Sequence, residues 1–160
     1  MEPVTFRPIG VIRTPFTDIA GMPVQAAGAI GIAGRIELDP DLMEGLVDIE
    51  GFSHLTLLYY FHLGAGPRLT VKSFLDDQYH GVYATRAPLR PNPIGLSTVR
   101  LVSVSGSTLE IEDVDILDGT PLLDMKPYVP GLDDRADARI GWYEGRLDRV
   151  SEIKADDRFR

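Results

Sequence analysis

Glycine and proline interrupt this sequence so often that a bundle of long helices is not expected. The chain of 160 residues contains 16 glycines and 12 prolines. Glycine favours turns, while proline lacks a backbone donor and disrupts a helix interior. Hydrophobic residues make up 44% of the chain and charged residues 25%, which is typical of a globular domain and excludes collagen-like, coiled-coil and wholly disordered chains. We therefore expect about one compact domain that is rich in turns.

Short segments with the pattern of β-strands lie between these breaks. Residues 29–38 alternate apolar positions with glycine and charged positions, as a half-buried strand does. Residues 54–62 are almost continuously apolar, which predicts a central strand covered on both faces. The same reasoning predicts an edge strand at residues 6–13 and further strands at residues 69–75, 81–85, 96–104, 108–116 and 139–147.

One short helix is predicted, at residues 40–48. Asp39 and Pro40 form a favourable helix start, and Gly51 ends the segment. In the strand predicted at residues 108–116 the apolar positions change parity near Asp113, which predicts a β-bulge. Many strands, one short helix and no regular strand–helix alternation predict a mainly β fold with long loops, either an antiparallel barrel or a sandwich.

Several kinds of functional site are excluded by composition and spacing. The chain has no cysteine, so thiol nucleophiles, iron–sulfur clusters and cysteine-bound zinc are impossible. His54 and His62 would lie about 26 Å apart on one strand, too far to share an ion, and we expect no metal site. The sequence also contains neither a P-loop nor the glycine pattern of a dinucleotide-binding fold.

Charge and hydropathy give expectations about partners and compartment. The formal net charge of −8 repels a polyanion, so binding of nucleic acid would need a local basic patch. No apolar run reaches the length of a membrane span, and the first residues do not resemble a leader peptide, so we expect a cytoplasmic protein without membrane attachment. Residues 146–160 mix both charge signs, which predicts a solvated tail after a domain at residues 1–145.

The segment at residues 85–97 is the most informative part of the sequence. Pro88, Pro91 and Pro93 restrict the residues that precede them to extended conformations, so this loop is stiff. Arg86 and Arg90 lie within it. Guanidinium groups held in this way can bind a carboxylate, a phosphate or the edge of a base, and the alternative is a rigid crossover whose arginines pair with the acidic protein itself.

Two further positions have a structural and a functional interpretation. In the structural interpretation, Asp118 and Gly119 only form a turn, which their residue types favour. In the functional interpretation, the Asp118 carboxylate in that turn also accepts hydrogen bonds from ribose hydroxyl or amine groups. His62 follows the strand predicted at residues 54–62, where it either caps the strand through a hydrogen bond or lines a pocket.

Seven short blocks follow one another along the chain at residues 9–16, 51–54, 61–62, 81–86, 90–98, 118–121 and 124–128. Together they resemble the TrmO family of S-adenosylmethionine-dependent tRNA methyltransferases. The match extends over roughly residues 6–130, and the block at residues 90–98 is far more specific than any three-residue motif.

The resemblance implies a fold, a cofactor and a reaction. The implied fold is a single-sheeted β-barrel that binds S-adenosylmethionine and works as a homodimer, and the implied reaction is methylation of threonylcarbamoyladenosine at N6, beside the tRNA anticodon. His62 and Asp124 are the candidate bases for the proton of the acceptor nitrogen. The cofactor contacts implied by the resemblance are Pro23, Val24, Gln25, Phe61, His62, Arg86, Leu96, Leu117, Asp118, Gly119 and Thr120.

The sequence departs from the family pattern at one implied contact. Val24 replaces the arginine of a Pro-Arg-Gln motif, so a guanidinium group is missing there. With the negative net charge, this leaves three functions open: a tRNA methyltransferase, a methyltransferase for a different small acceptor, and a module that binds S-adenosylmethionine without catalysis. Clustering of the basic residues around the pocket would favour the first of these; the residues concerned are Arg13, Arg35, Arg68, Lys72, Arg86, Arg90 and Arg100.

Overall fold

The computed structural model describes residues 2–156 and 159 of the chain. Most of its regular structure is β. The strands are β1 (Gly10–Arg13), β2 (Ala33–Leu38), β3 (His54–Tyr60), β4 (Thr70–Lys72), β5 (Tyr79–Gly81), β6 (Ile94–Ser105), β7 (Thr108–Glu112) and β8 (Thr120–Pro127).

Six of these strands form a closed antiparallel barrel in the order β1-β2-β7-β6-β3-β8, with β8 pairing again with β1. The predicted mainly β fold and the barrel implied by the family resemblance are therefore confirmed. Closure leaves no free edge, so the prediction that the first strand is an edge strand is wrong: β1 pairs with β2 on one side and with β8 on the other. Strands β4 and β5 form a separate two-stranded sheet.

The barrel interior is the main hydrophobic core. Along β3 the side chains of Leu55, Leu57 and Tyr59 are buried, whereas those between them are only partly buried. The expectation that this strand is covered on both faces is wrong, because a barrel strand turns only alternate residues inward. The fully buried side chains of the other barrel strands include Ile12, Ile36, Val99, Leu109, Ile111 and Leu122.

The predicted helix begins where expected but is of a different type. Pro40–Leu46 is a 3₁₀ helix, and the Asp39 carboxylate accepts a hydrogen bond from the Asp41 N–H at 3.1 Å, as a helix cap does. The α-helix of the described chain, α1, is the four-residue segment Pro130–Asp133.

Two predicted strands are wrong. At residues 81–85 the structure has a 3₁₀ helix, Val82–Ala84, whose turn is closed by the Thr85 N–H and hydroxyl, which both donate to the Val82 carbonyl. At residues 139–147 it has another, Gly141–Tyr143. Gly141 and Gly145 have φ values of 58° and 72°, a backbone conformation that interrupts a strand.

Two other features of the barrel differ from expectation. Strand β7 ends at Glu112, and Asp113 follows with φ 68°, so the change of apolar parity marks a strand end and not a β-bulge. Strand β8 was not predicted, because Pro121 and Pro127 lie within it. It nevertheless joins β1 to β3 and completes the barrel.

Candidate active site

A cavity of about 670 Å³ opens at one end of the barrel. The end of β3, the start of β6 and the start of β8 meet there, because these strands are antiparallel neighbours. The loop before β2, the proline-rich loop before β6 and the turn before β8 complete its rim. Lining residues from these segments include Gln25, Tyr59, Phe61, His62, Arg86, Leu96, Ser97, Asp115, Leu117 and Thr120.

The floor of the cavity is a buried pair of hydroxyl groups. The Tyr59 hydroxyl lies 3.0 Å from Ser97 Oγ, and both side chains are almost fully buried. The Phe61 ring packs edge-on against Tyr59, with centroids 5.4 Å apart. Burial raises the pKa of Tyr59 well above its ordinary range, so its hydroxyl stays protonated and remains a hydrogen-bond donor.

The two arginines of the proline-rich loop, Arg86 and Arg90, make different contacts. Arg90 Nη1 donates to the carbonyls of Val82 and Thr85 at 3.1 and 2.9 Å, so this side chain holds the loop in its own conformation. Arg86 Nη1 donates to Gln25 Oε1 at 3.3 Å across the cavity rim. The Arg86 charge therefore faces an amide oxygen and is available to an anionic ligand.

The acidic turn before β8 is held by Asp118. Its Oδ1 accepts the Thr14 N–H at 3.0 Å, and its Oδ2 lies 3.9 Å from Arg13 Nη1. Gly119 has a φ of 75°, which a side chain would disfavour. These contacts fix the turn against the end of β1, and they leave Leu117 and Thr120 facing the cavity.

Most of the residues expected at the cofactor line this one cavity, although their role as contacts stays a prediction. Asp118 and Gly119 lie on the same turn but do not line it. Asp124, one of the two candidate bases, also lies outside the lining: its carboxylate accepts the Met125 N–H at 2.9 Å and the Lys126 ammonium at 2.7 Å. The predicted residues that line the cavity are Pro23, Val24, Gln25, Phe61, His62, Arg86, Leu96, Leu117 and Thr120.

Asp115 is a cavity residue that the sequence reasoning did not select. Its Oδ1 atom is buried and has no hydrogen-bond partner among the described residues. Burial raises the pKa of this carboxyl, and the nearby Ser97 hydroxyl and Arg86 charge only partly oppose that effect. The available signal was a single acid between Val114 and Ile116, two apolar residues that are buried in the structure.

Part of the segment expected to be a solvated tail lies against the cavity. The Gly21 N–H donates to the Ala155 carbonyl at 2.9 Å, and the Ala155 N–H donates to the Met22 carbonyl at 2.8 Å. Leu147 and Val150 line the cavity from this side, and Val150 is buried. Whether residue 145 marks a domain boundary stays a prediction.

Trp142 anchors this segment to the rest of the protein. Its indole stacks between His80 and Tyr143, with centroid distances of 4.2 and 4.0 Å, and its Nε1 donates to the Ala84 carbonyl at 2.7 Å. Arg146 adds an ion pair with the buried Asp76 carboxylate at 3.0 Å. Tyr143, which lines the cavity, is thereby fixed in place.

The seven basic residues considered for binding of RNA fall into separate groups. Four of them pair with carboxylates at 4.0 Å or less: Arg13, Arg35, Lys72 and Arg100. Arg86 and Arg90 are the two that line the cavity. Arg68 lies in a second, shallower groove beside β4. The basic residues therefore do not surround the cavity as one patch.

Within residues 2–156 and 159, no group of three or more histidine, aspartate or glutamate side chains has an arrangement that could hold a metal ion. None of the helices in that part of the chain has the length and apolar character needed to cross a membrane.

Comparison with known proteins identifies relatives over most of the chain. A protein of Pyrococcus abyssi described as a probable S-adenosyl-L-methionine-binding protein is 51% identical over 156 residues, which cover 98% of this chain and 85% of the relative. The tRNA (adenine(37)-N6)-methyltransferase of Escherichia coli is 36% identical, with 89% of this chain and 65% of that protein covered.

Structural comparison gives the same relationship. A crystal structure of TrmO from Pseudomonas aeruginosa matches with a TM-score of 0.74 and 40% identity, and the match covers 88% of this chain and 63% of that one. The chain thus spans less than two thirds of the length of the E. coli and P. aeruginosa proteins. The family model for the tRNA-methyltransferase O N-terminal domain matches residues 11–134. With the barrel and its cavity, these matches show that the chain belongs to the tRNA-methyltransferase O family.

Proposed function

We propose that this chain is an S-adenosylmethionine-dependent methyltransferase that acts on N6 of threonylcarbamoyladenosine beside the tRNA anticodon. The observation that carries the proposal is that one cavity gathers the end of β3, the proline-rich loop and the turn before β8. These are the segments to which the family resemblance assigns cofactor binding. The name of the E. coli relative supports N6 of a tRNA adenine as the methylated atom, and the name of the P. abyssi relative supports the cofactor.

The cavity fits such a cofactor in size and in chemistry. Its volume of about 670 Å³ is within the roughly 300–1,000 Å³ of small-molecule sites. Arg86 offers a cation to a carboxylate, Asp115 offers a buried oxygen without a partner, and Phe61 offers an aromatic ring that attracts a positively charged sulfur. When bound, S-adenosylmethionine supplies an activated methyl group on that sulfur.

The residues of this chain provide alignment, exclusion of water and a proton acceptor. Tyr143, Leu147 and Val150 line the cavity on one side, and Val150 is buried there. Methyl transfer needs no nucleophile from the protein, so alignment and dryness are the main requirements. Of the two candidate bases, His62 lines the cavity and Asp124 does not, and we assign the proton of the acceptor nitrogen to the His62 imidazole.

Transfer of a labelled methyl group tests the reaction. Wild-type protein is incubated with labelled cofactor and with bulk tRNA that carries or lacks the threonylcarbamoyl group. We expect label only in the modified tRNA. Binding of the cofactor without transfer to any acceptor would instead support a module without catalysis.

His62→Ala and Asp124→Ala test the assignment of the base in the same assay. We expect His62→Ala to lose turnover by about 100-fold, and much more than it loses cofactor affinity, because no side chain then takes the proton from the acceptor nitrogen. Asp124→Ala should retain turnover. If His62→Ala loses affinity and turnover equally, His62 is a binding residue and not the base.

The second candidate function is methylation of a different small acceptor. The presence of Val24 favours it. This side chain lines the cavity at the position where the family pattern has arginine, so the rim has one cation fewer for an RNA phosphate. Transfer to nucleosides or other small amines, but not to modified tRNA, would decide for this candidate. Replacement by the family residue, Val24→Arg, should increase the salt-dependent affinity for tRNA.

We also propose a homodimer in the cytoplasm, as the family resemblance implies. Exposed apolar side chains of Leu42, Met43, Val47 and Phe52 lie close together in sequence and support an interface. Sedimentation of the full chain gives the oligomeric state, and Val47→Glu should shift it toward monomer if this segment is the interface. Cell fractionation checks the compartment.

A further inference from the structure

Asp115 stands out among the residues that line the cavity. It is the acidic side chain of that lining within the described residues, and its Oδ1 is buried without a hydrogen-bond partner. A buried carboxylate oxygen without a donor is costly, and native proteins tolerate it mainly where a ligand or ion supplies the missing partner. The position therefore points to a ligand group that carries hydrogens and positive charge.

The side chains around Asp115 limit the kind of ligand group that can donate to its unpartnered oxygen. Tyr59 and Ser97 are hydrogen-bonded to each other at 3.0 Å, and the Ser97 hydroxyl also bonds the Asp115 carboxyl, yet Asp115 Oδ1 still has no partner. The Arg86 charge is near enough to influence Asp115, but the two side chains do not form an ion pair. A cation and an anion thus face the same cavity without pairing with each other.

A zwitterionic amino acid is the chemical complement of that arrangement. Its ammonium and carboxylate groups are attached to one carbon, so it needs an anion and a cation of the protein close to each other. The amino-acid end of S-adenosylmethionine has this form. The sulfonium of the same molecule is also positive, but it has no N–H hydrogen to donate to an unpartnered oxygen.

We propose that Asp115 accepts a hydrogen bond from the α-ammonium group of the cofactor, while Arg86 binds the carboxylate on the same carbon. This inference rests on the proposed function, because it assumes that the cavity is the cofactor site. It adds a recognition residue that the sequence motifs do not include.

Three ligands distinguish the possible contacts of Asp115 by titration calorimetry. S-adenosylmethionine has the sulfonium and the amino-acid end, S-adenosylhomocysteine has only the amino-acid end, and 5′-methylthioadenosine has neither. For Asp115→Asn we expect the Kd of the first two to rise at least tenfold, with the third changed less than twofold. Arg86→Met should show the same pattern. Glu110→Gln, an acid-to-amide change on the exposed face of β7, is the matched control and should leave all three affinities unchanged.

Other outcomes overturn the inference in distinguishable ways. Loss of affinity for S-adenosylmethionine alone places Asp115 at the sulfonium. Equal loss for all three ligands places it at the nucleoside, and unchanged affinities remove it from binding altogether. If the wild-type protein binds none of the three, the proposed function itself fails. Thermal unfolding without ligand shows that each variant is folded before it is titrated.

Discussion

Gly95 on β6 lies directly beneath the aromatic ring of Tyr59 on β3, and a Cβ atom at this position would overlap that ring. Tyr59 cannot move away easily, because it is buried, packs against Phe61 and is hydrogen-bonded to Ser97. The absence of a side chain at Gly95 therefore determines where the floor of the cavity lies.

Gly95→Ala should destabilise the protein by about 1–3 kcal/mol, because it overpacks a buried site. It should also weaken cofactor binding, since the ring beneath the cavity must shift. Gly81→Ala is the matched control: a Cβ there meets no atom within 4 Å, and its φ of −60° suits any residue. Urea unfolding compares the two. If both variants lose equal stability, the ring contact is not the cause.

Trp142→Ala should detach the segment at residues 142–155 from the barrel. The change removes two stacked ring contacts and a hydrogen bond to the Ala84 carbonyl, and we expect a loss of about 2–4 kcal/mol. Limited proteolysis should then cut near residue 145, and cofactor affinity should fall. Trp142→Phe keeps a stacked ring and should lose only about 1 kcal/mol. Unchanged protease resistance in Trp142→Ala would contradict the anchoring role.

Asp48 and Asp113 both have left-handed backbones, with φ values of 67° and 68°, but only Asp113 has a tertiary contact for its side chain. Its Oδ1 accepts the Gly31 N–H at 2.7 Å. Asp48→Gly should therefore raise stability by about 0.5–1 kcal/mol, because it relieves backbone strain. Asp113→Gly gains the same relief but loses the charge-assisted hydrogen bond, worth about 1.5–3 kcal/mol, and an ion pair with Arg100, so its stability should fall by about 1–2 kcal/mol. Equal effects in thermal unfolding would contradict this difference.

The stability of the protein without ligand should depend on pH through Asp115. Burial raises the pKa of this carboxyl above its value in the unfolded chain, so its ionisation favours the unfolded state. The group contributes its stability at low pH and loses it as the pH rises through the folded-state pKa. Asp115→Asn should therefore be more stable than wild type near neutral pH, and the difference should vanish below about pH 4. A constant difference across the pH range would exclude this linkage.

The sequence predicted the fold class well and the walls of the site only in part. Period-two patterns and frequent breaks indicated an antiparallel barrel or sandwich. Arg86 of the proline-rich loop lines the cavity, and its expected role as a ligand contact stays a prediction. Strand β8 was missed because Pro121 and Pro127 are unfavourable in a strand interior, yet pairing with β1 and β3 outweighs this. Local propensity does not show such tertiary pairing.

The segment at residues 146–155, which was expected to belong to a solvated tail, was missed as part of the cavity lining for a different reason. Its apolar residues, including Leu147 and Val150, are dispersed among charges of both signs, so the segment has the composition of a solvated tail. Only the folded barrel provides the surface against which they pack. Asp115 was overlooked for a similar reason, because an acid within a predicted strand shows its importance only once the cavity that surrounds it is known.

The hydrogen bonds between residues 21–22 and residue 155 join distant parts of the chain at the wall of the cavity. The last barrel strand, β8, ends at Pro127, which precedes Trp142 in the sequence. During synthesis on the ribosome, a nascent chain can therefore close its sheet before the segment with Trp142 has been made. The cavity of that intermediate would lack Leu147 and Val150, which line it on this side. We therefore expect the cofactor to be captured only after this segment has been translated.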